Sequence, residues 1–353
     1  MIFGPREGAS TPPMHASRKV RTRALAAVGF AVLAAAAPAQ QVRELDLEGG
    51  VWRRAWTMDV PEPIAEAGAL AAFRKNLVAV DNTGAEPRWA VLELTATGTS
   101  GTLELLPAPG LRAEERAVRL AVVPVQNAYY LLAERESGGA SLSRAPAQPD
   151  GRPGAAVDLP LPEGSERLVD FAAGPELLFL LAREPEGRAP LTTLFASAWT
   201  GTQATDWIAT TPAPVALDGP ALLAQHNRAS LIGGLEPDGR AARLPLGIEV
   251  RYPNAGAWER EPLPLTISPG RCRGVVLGAL AVVVDESSED TLRFLAAGDL
   301  GDGAFRRFRE VPTDHPAVEG ALLVNDLVHA QLLVVGGTLA DGTRNTGISS
   351  FPY

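Results

Sequence analysis

One cysteine, Cys272, stands among 353 residues. With no partner thiol there is no internal disulfide framework, so stability has to come from a buried apolar core. Cys272 itself reads as a small buried hydrophobe. Histidine is nearly as scarce: His15, His226, His315 and His329, with no two spaced as metal ligands. That supply excludes a histidine-built metal centre, so no metal and no cofactor are expected. No basic run marks a nucleic-acid partner. No phosphate loop, nucleophile elbow, HExxH or CxxC is present. No apolar run reaches the about 20 residues that span a bilayer.

What the chain does have is 46% apolar residues, 35 Gly and 30 Pro. That is enough to bury a core, with frequent turns. At the N-terminus "SRKVRTR" (17–23) carries four positive charges. The apolar stretch 24–37 follows, and "APA" (37–39) offers a small-x-small cleavage site. This is the pattern of a secretory signal peptide over residues 1–39, cleaved after about Ala39, with export to the periplasm or medium and no stable membrane insertion afterwards. Cleavage removes Arg6, Arg18, Lys19, Arg21 and Arg23 together with Glu7, taking the net charge from −9 to −13. So acidic a surface disfavours DNA and anionic membranes as partners.

Residues 40–353 carry a repeat. Pro-x-Pro occurs at 61–63, 107–109, 160–162, 212–214 and 262–264, with a looser version from Pro312. Aromatic residues precede several of these, notably Trp56, Trp207, Trp258, Phe305 and Phe308. A second marker keeps step: apolar runs that end near Asp81, Glu134, Arg183, Gly233, Asp285 and Gly336. Two markers with one period of about 50 residues predict a repeat architecture of propeller type. The runs are short, rich in Val, Leu and Ala, and bounded by Gly, Pro and Asp, so each unit reads as four strands, one propeller blade. Proline lacks a ladder donor and therefore ends the outer strand. The last unit, from Ala321, lacks its outer strand, while "GGVWRRAWTMDVPEP" (49–63) supplies such a strand alone. The expected fold is an all-β, six-bladed propeller of four-stranded blades, closed by the N-terminal strand completing the last blade.

"SLIGG…EVRYPNAGAWEREPLPL" resembles a kelch repeat: an apolar run, the pair Gly233–Gly234, Tyr252, and Trp258 six residues on. "LLVVGG" (332–337) repeats the glycine pair, and the other units depart from it. Kelch propellers include cytosolic adaptors, copper oxidases of the galactose oxidase type, and exported N-acetylneuraminate epimerases (sialic acid mutarotases). The leader argues against the first, and the missing ligands against the second. The resemblance implies an exported binding or interaction module for a carbohydrate or an envelope protein. The alternatives are a mutarotase-like isomerase and a structural envelope component.

Charged residues recur at one phase of the repeat: Glu66, Arg116, Arg167, Asp218, Arg271 and Glu319. One phase predicts one mouth of the central channel. Arg116, Arg167 and Arg271 are suited to clamping a carboxylate such as that of an acidic sugar. Asp218, Glu66 or Glu319 could serve as a base, and Asp218 and His226 could bind ligand hydroxyls. The competing reading is a belt of solvated loop charges that pair with one another. Arg119, Asp170, His226, Arg273 and Asn325 are expected nearby. Trp52, Trp56, Trp207 and Trp258 are expected to pack between blades, and Trp89 and Trp199 to lie exposed.

Overall fold

The computed structural model describes residues 50–353 apart from 83–85, 108–110, 136–137, 164–167, 184–191, 200–205, 261–264, 266–268, 287–289, 300–303 and 306. The predicted leader, Arg167 and the prolines at 109, 262 and 264 lie outside the described residues.

Six four-stranded antiparallel sheets follow one another along the chain. Blade 1 comprises Leu70–Phe73, Asn76–Asp81, Arg88–Thr95 and Gly98–Pro107. Blade 2 comprises Glu115–Val123, Ala128–Arg135, Ala140–Pro146 and Val157–Leu159. Blade 3 comprises Leu168–Ala173, Leu177–Arg183, Thr192–Ala198 and Ile208–Ala209. Blade 4 comprises Ala221–Gln225, Arg228–Ile232, Leu246–Arg251 and Asn254–Arg260. Blade 5 comprises Cys272–Leu277, Leu280–Asp285, Thr291–Gly298 and Arg309–Pro316. Blade 6 comprises Leu322–Asp326, Gln331–Val335, Gly347–Pro352 and, from the other end of the sequence, Trp56–Asp59. The first strand of each blade touches the first strand of the next, and blade 6 returns to blade 1, so the ring is closed. The protein is a six-bladed β-propeller.

The apolar runs occupy the second strand of each blade and are covered on both faces. Asn76–Asp81 and Leu280–Asp285 are buried along their whole length. Between blades these strands interlock with the next sheet, as where Val282 and Phe294 of blade 5 meet Leu332 and Phe351 of blade 6. The hairpins between first and second strands are tight. Arg74, Asn127, His226, Gly278 and Ala330 take positive φ there, as short β-turns demand.

Closure uses more than one strand. Trp56–Asp59 pairs antiparallel with the third strand of blade 6, from Trp56 opposite Ser350 to Asp59 opposite Gly347. Just upstream, Trp52 bridges to Thr313 in the outer strand of blade 5. Its ring is 1% exposed and lies 5.4 Å from Phe294 and 5.5 Å from Phe351, and its indole N–H donates to Pro352 O at 2.8 Å. Arg54 holds Asp314 through its backbone N–H (3.0 Å) and its Nε (3.3 Å). The N-terminal segment thus joins blades 5 and 6.

The co-occurrence of tryptophan and Pro-x-Pro has a direct cause. Trp207 of blade 3 donates its indole N–H to Pro160 O, at the prolyl end of blade 2, at 2.7 Å. Trp258 of blade 4 donates to Thr211 O, just before the prolyl motif of blade 3, also at 2.7 Å. Carbonyls at the end of an outer strand have no ladder partner, and the neighbouring blade supplies one. Trp89 corrects the expectation of exposure: it is 1% exposed and packs against Tyr129. Its place in the third strand of blade 1 turns it toward blade 2. Trp199 is half-buried under the Arg144 guanidinium, 4.4 Å from the ring centroid.

The glycine pairs of blades 4 and 6 share one conformation, with φ of +66° and +89° at Gly233–Gly234 and +66° and +90° at Gly336–Gly337. A Cβ on Gly336 would sit 2.5 Å from Ala65 O. Only glycine satisfies both the handedness and the close approach.

Candidate functional site

The six first strands surround the channel. Their chain-entry ends form one mouth, the crossover mouth, and the hairpins that follow them form the other, the hairpin mouth. A cavity of about 290 Å³ occupies the channel on the hairpin side, lined by first-strand residues of all six blades and by Pro124, Pro175, Gly278 and Leu327 at the hairpins. Its walls are mostly apolar and small, with Ala72, Ala121, Ala173 and Ala224 among them. Arg119 is the one charged residue of that lining, and Gln225 and Asn325 are polar.

Arg119 spans the channel. From blade 2 its Nη2 donates to Gly274 O of blade 5 at 3.0 Å. Its Nε lies 3.5 Å from Asp170 Oδ1 of blade 3. Both side chains follow an irregularity in the ladder, one between Ala117 and Arg119 and the other between Leu168 and Asp170. A bulge of this kind re-aims a side chain, here toward the axis. Asn325 of blade 6 donates to Val276 O of blade 5 at 2.8 Å and accepts from Tyr353 Oη at 2.7 Å.

The predicted ring lies at the crossover mouth, and several of its members are paired. Arg271 of blade 5 grips Asp218 Oδ2 of blade 4 through Nε (3.2 Å) and Nη2 (2.7 Å). Gly219, at φ +64°, makes room for the Arg271 stem. Glu66 forms an ion pair with Arg344. Arg116 and Glu319 are exposed. His226 departs from the expectation: it occupies the first hairpin of blade 4, so it faces the hairpin mouth and not the ring. There its Nε2 lies 3.6 Å from the buried Asp299 Oδ2, and its side chain is 60% exposed. The reason is length, since Ala221–Gln225 carries the chain from one mouth to the other before His226 is reached.

Sequence reasoning missed Glu286. It follows the second strand of blade 5 and returns to the crossover mouth beside Cys272 and Arg273. Its side chain is 16% exposed and lies 3.8 Å from Arg273 Nε, and its Oε1 has no hydrogen-bond partner. Burial raises its pKa above the usual carboxylate range. Arg273 opposes the shift, Glu319 and Asp285 add to it, and the Gly320 N–H opposes it. A signal was legible, because blade 5 writes Asp285–Glu286 where the well-formed repeats write a glycine pair. Cys272, in contact with this region, is inert: it is buried, its thiol donates to Ile232 O at 3.0 Å, and desolvation pushes its pKa up to about 12.

The fold is similar to that of YjhT. The solved structure of YjhT aligns with a TM-score of 0.53 and 12% identity, over 83% of this chain and 95% of that one. The crystal structure of a subtype N11 neuraminidase-like protein of A/flat-faced bat/Peru/033/2010 (H18N11) aligns at TM-score 0.46 and 10% identity, over 84% of this chain and 90% of that one. No protein-family model matches the chain, and no curated protein matches it in sequence. The likeness to YjhT concerns the propeller, not the residues of any site.

Chemically, the crossover mouth offers guanidinium groups for an anion and, in Glu286, a desolvated carboxyl beside a second one. Such an arrangement can exchange protons nearer neutrality than an ordinary carboxylate. No group of three or more His, Cys, Asp and Glu side chains among the described residues could hold a metal ion. No helix among them is long and apolar enough to cross a membrane.

Proposed function

We propose that this chain is an exported propeller that binds a carboxylated sugar at the crossover mouth. The observation that carries the reading is the cluster of Arg273, Glu286 and Glu319, flanked by the Arg271–Asp218 pair. The Arg271 and Arg273 guanidinium groups at the entry of blade 5 supply charge-assisted donors to a carboxylate, while Asp218 and Glu319 accept hydrogen bonds from hydroxyls. Arg116, at the entry of blade 2, adds a further exposed guanidinium at the same mouth. Export follows from the leader pattern over residues 1–39, and an N-terminus at Gln40 on the protein recovered outside the cytoplasm would bear it out.

A second reading is favoured by Glu286: a mutarotase-like isomerase. In that reaction the Glu286 carboxylate takes the proton of the anomeric hydroxyl. The bond from the anomeric carbon, C2 of N-acetylneuraminate, to the ring oxygen breaks, and the ring oxygen takes a proton from Glu319 or water. Reclosure on the other face returns both protons. A carboxyl with a raised pKa suits the role because it gives and takes the proton near neutrality.

Calorimetric titration with N-acetylneuraminate and one-dimensional NMR of its anomer exchange test both readings. Binding that Arg273→Gln weakens by about one to two decades supports the first. Anomer exchange that Glu286→Gln abolishes supports the second. No binding at millimolar sugar overturns both and leaves a structural envelope role, with the ring charges serving as a solvated belt.

A further inference from the structure

Away from the channel, blade 4 carries a larger cavity of about 600 Å³. It shares no lining residue with the channel cavity. Val215, Leu217 and Leu246 give it an apolar side, and Arg240, Arg243 and Arg260, with Glu236, give it a polar one. The volume falls in the range of small-molecule sites, about 300–1,000 Å³.

The frame of this cavity is rigid. Leu235 bridges on one side to Asp218 and on the other to Ala241, so the connection between the second and third strands forms a small extra ladder. Ala242 N–H donates to Gly234 O at 2.9 Å and Glu236 N–H to Arg240 O at 2.8 Å. Leu265 N–H donates to Arg243 O at 2.8 Å. The arginines are therefore presented from hydrogen-bonded backbone.

Their charge is poorly met. Arg240 lies 3.5 Å from Asp238, but both side chains are largely exposed and such a pair binds weakly. Neither Arg243 nor Arg260 forms an ion pair with a carboxylate among the described residues. Three guanidinium groups and one carboxylate thus surround a single concavity in a chain of net charge −9. Like charges so gathered repel one another, and an anion placed between them relieves the repulsion while gaining bidentate hydrogen bonds.

We propose that this cavity is a second binding site, for a small organic anion with a carboxylate or phosphate head and an apolar body. The head meets Arg243, Arg260 and Arg240, and the body lies along Val215, Leu217 and Leu246. The site is independent of the reading of the channel mouth.

The probe is 1-naphthyl phosphate, titrated into the full chain and followed by naphthyl fluorescence. Neutral 1-naphthol supplies the body alone and inorganic phosphate the head alone. Saturable binding of naphthyl phosphate is expected, at least about tenfold tighter than either control and weakening with added salt. Arg243→Gln and Arg260→Gln should each weaken it by about tenfold or more, and Arg243→Lys by less than Arg243→Gln. Arg273→Gln at the channel mouth should leave it unchanged. Both blade 4 arginines are exposed, so these variants should keep the far-ultraviolet circular dichroism of the parent. No saturable binding at millimolar probe would overturn the proposal. So would binding indifferent to Arg243 and Arg260, and binding lost only in Arg273→Gln would move the probe to the channel mouth and overturn the blade 4 site alone.

Discussion

Arg119 of blade 2 reaches across the channel to Gly274 of blade 5, with Nη2 3.0 Å from the carbonyl oxygen. Six blades around a ring put these two strands on opposite walls, so one side chain crosses the axis. It also leans on Asp170 of blade 3. Arg119→Ala should remove both contacts and leave Asp170 facing the channel without its cation. A hydrogen bond to a charged group contributes about 1.5–3 kcal/mol, so a loss of that size in the urea unfolding free energy is expected. Asp170→Asn should cost less in the Arg119→Ala background than in the parent, because the two side chains are coupled. Equal costs in both backgrounds would show that the pair does not interact.

Trp52 lies between Phe294 and Phe351 and is the anchor of ring closure. Trp52→Ala should cost about 3–5 kcal/mol, the range for a fully buried aromatic. Trp258, half-buried at the rim, should cost less when changed to alanine. Denaturant midpoints of the two variants, compared at equal m-value, check the order. Deleting residues 50–60 should expose the third strand of blade 6 as an open edge and promote association, visible as a shift in light scattering.

Glu286 makes stability depend on pH in a defined direction. Its folded pKa is raised, chiefly by burial, so the folded chain holds the proton more tightly than the unfolded one. Below the unfolded carboxyl pKa, about 4.3, the group costs nothing. As pH rises from there through the folded pKa, the native state must ionise a desolvated carboxyl and loses stability. Glu286→Gln should therefore gain thermal stability over the parent above that window and lose the advantage below about pH 4. Melting temperatures across pH 4–8 measure the gap, and a constant gap would remove Glu286 from the account.

Gly336 and Gly342 both have positive φ, at +66° and +81°. Only Gly336 faces an obstacle, Ala65 O, whereas nothing lies within 4 Å of a Cβ built on Gly342. Both alanine variants meet the left-handed strain, of order 1–3 kcal/mol. Gly336→Ala should cost more by the additional displacement of the helical turn Glu62–Ala65. Thermal unfolding of the two proteins gives the difference directly, and equal melting points would show that the turn yields freely.

Much of the architecture could be read along the chain. The period, the four strands of each blade and the completion of blade 6 by Trp56–Asp59 all depend on local pattern: apolar runs, turn residues and prolines that end ladders. The burial of Cys272, expected of a lone cysteine, and the interblade position of Trp52 are both found. The kelch-like glycine pair marked blades 4 and 6, and the structure gives both pairs the same backbone.

The site was legible only in part. Asp218 and Arg271, 53 residues apart, share one repeat phase and do meet. His226 sits a strand's length from that phase and went to the other mouth. Arg119 and Asp170 face the axis because bulges shift their strands by a residue, and a bulge has no signature in an isolated sequence. Glu286 became unusual through burial and the nearness of Glu319, both properties of packed blades. The three arginines of blade 4 are spread over 21 residues and gather only when the long connection folds back on the outer strand. Local sequence determined the blades and their closure, because strands and turns are short-range events. Tertiary structure alone decided which charges face each other, because that depends on register, bulges and the meeting of separate blades around one axis.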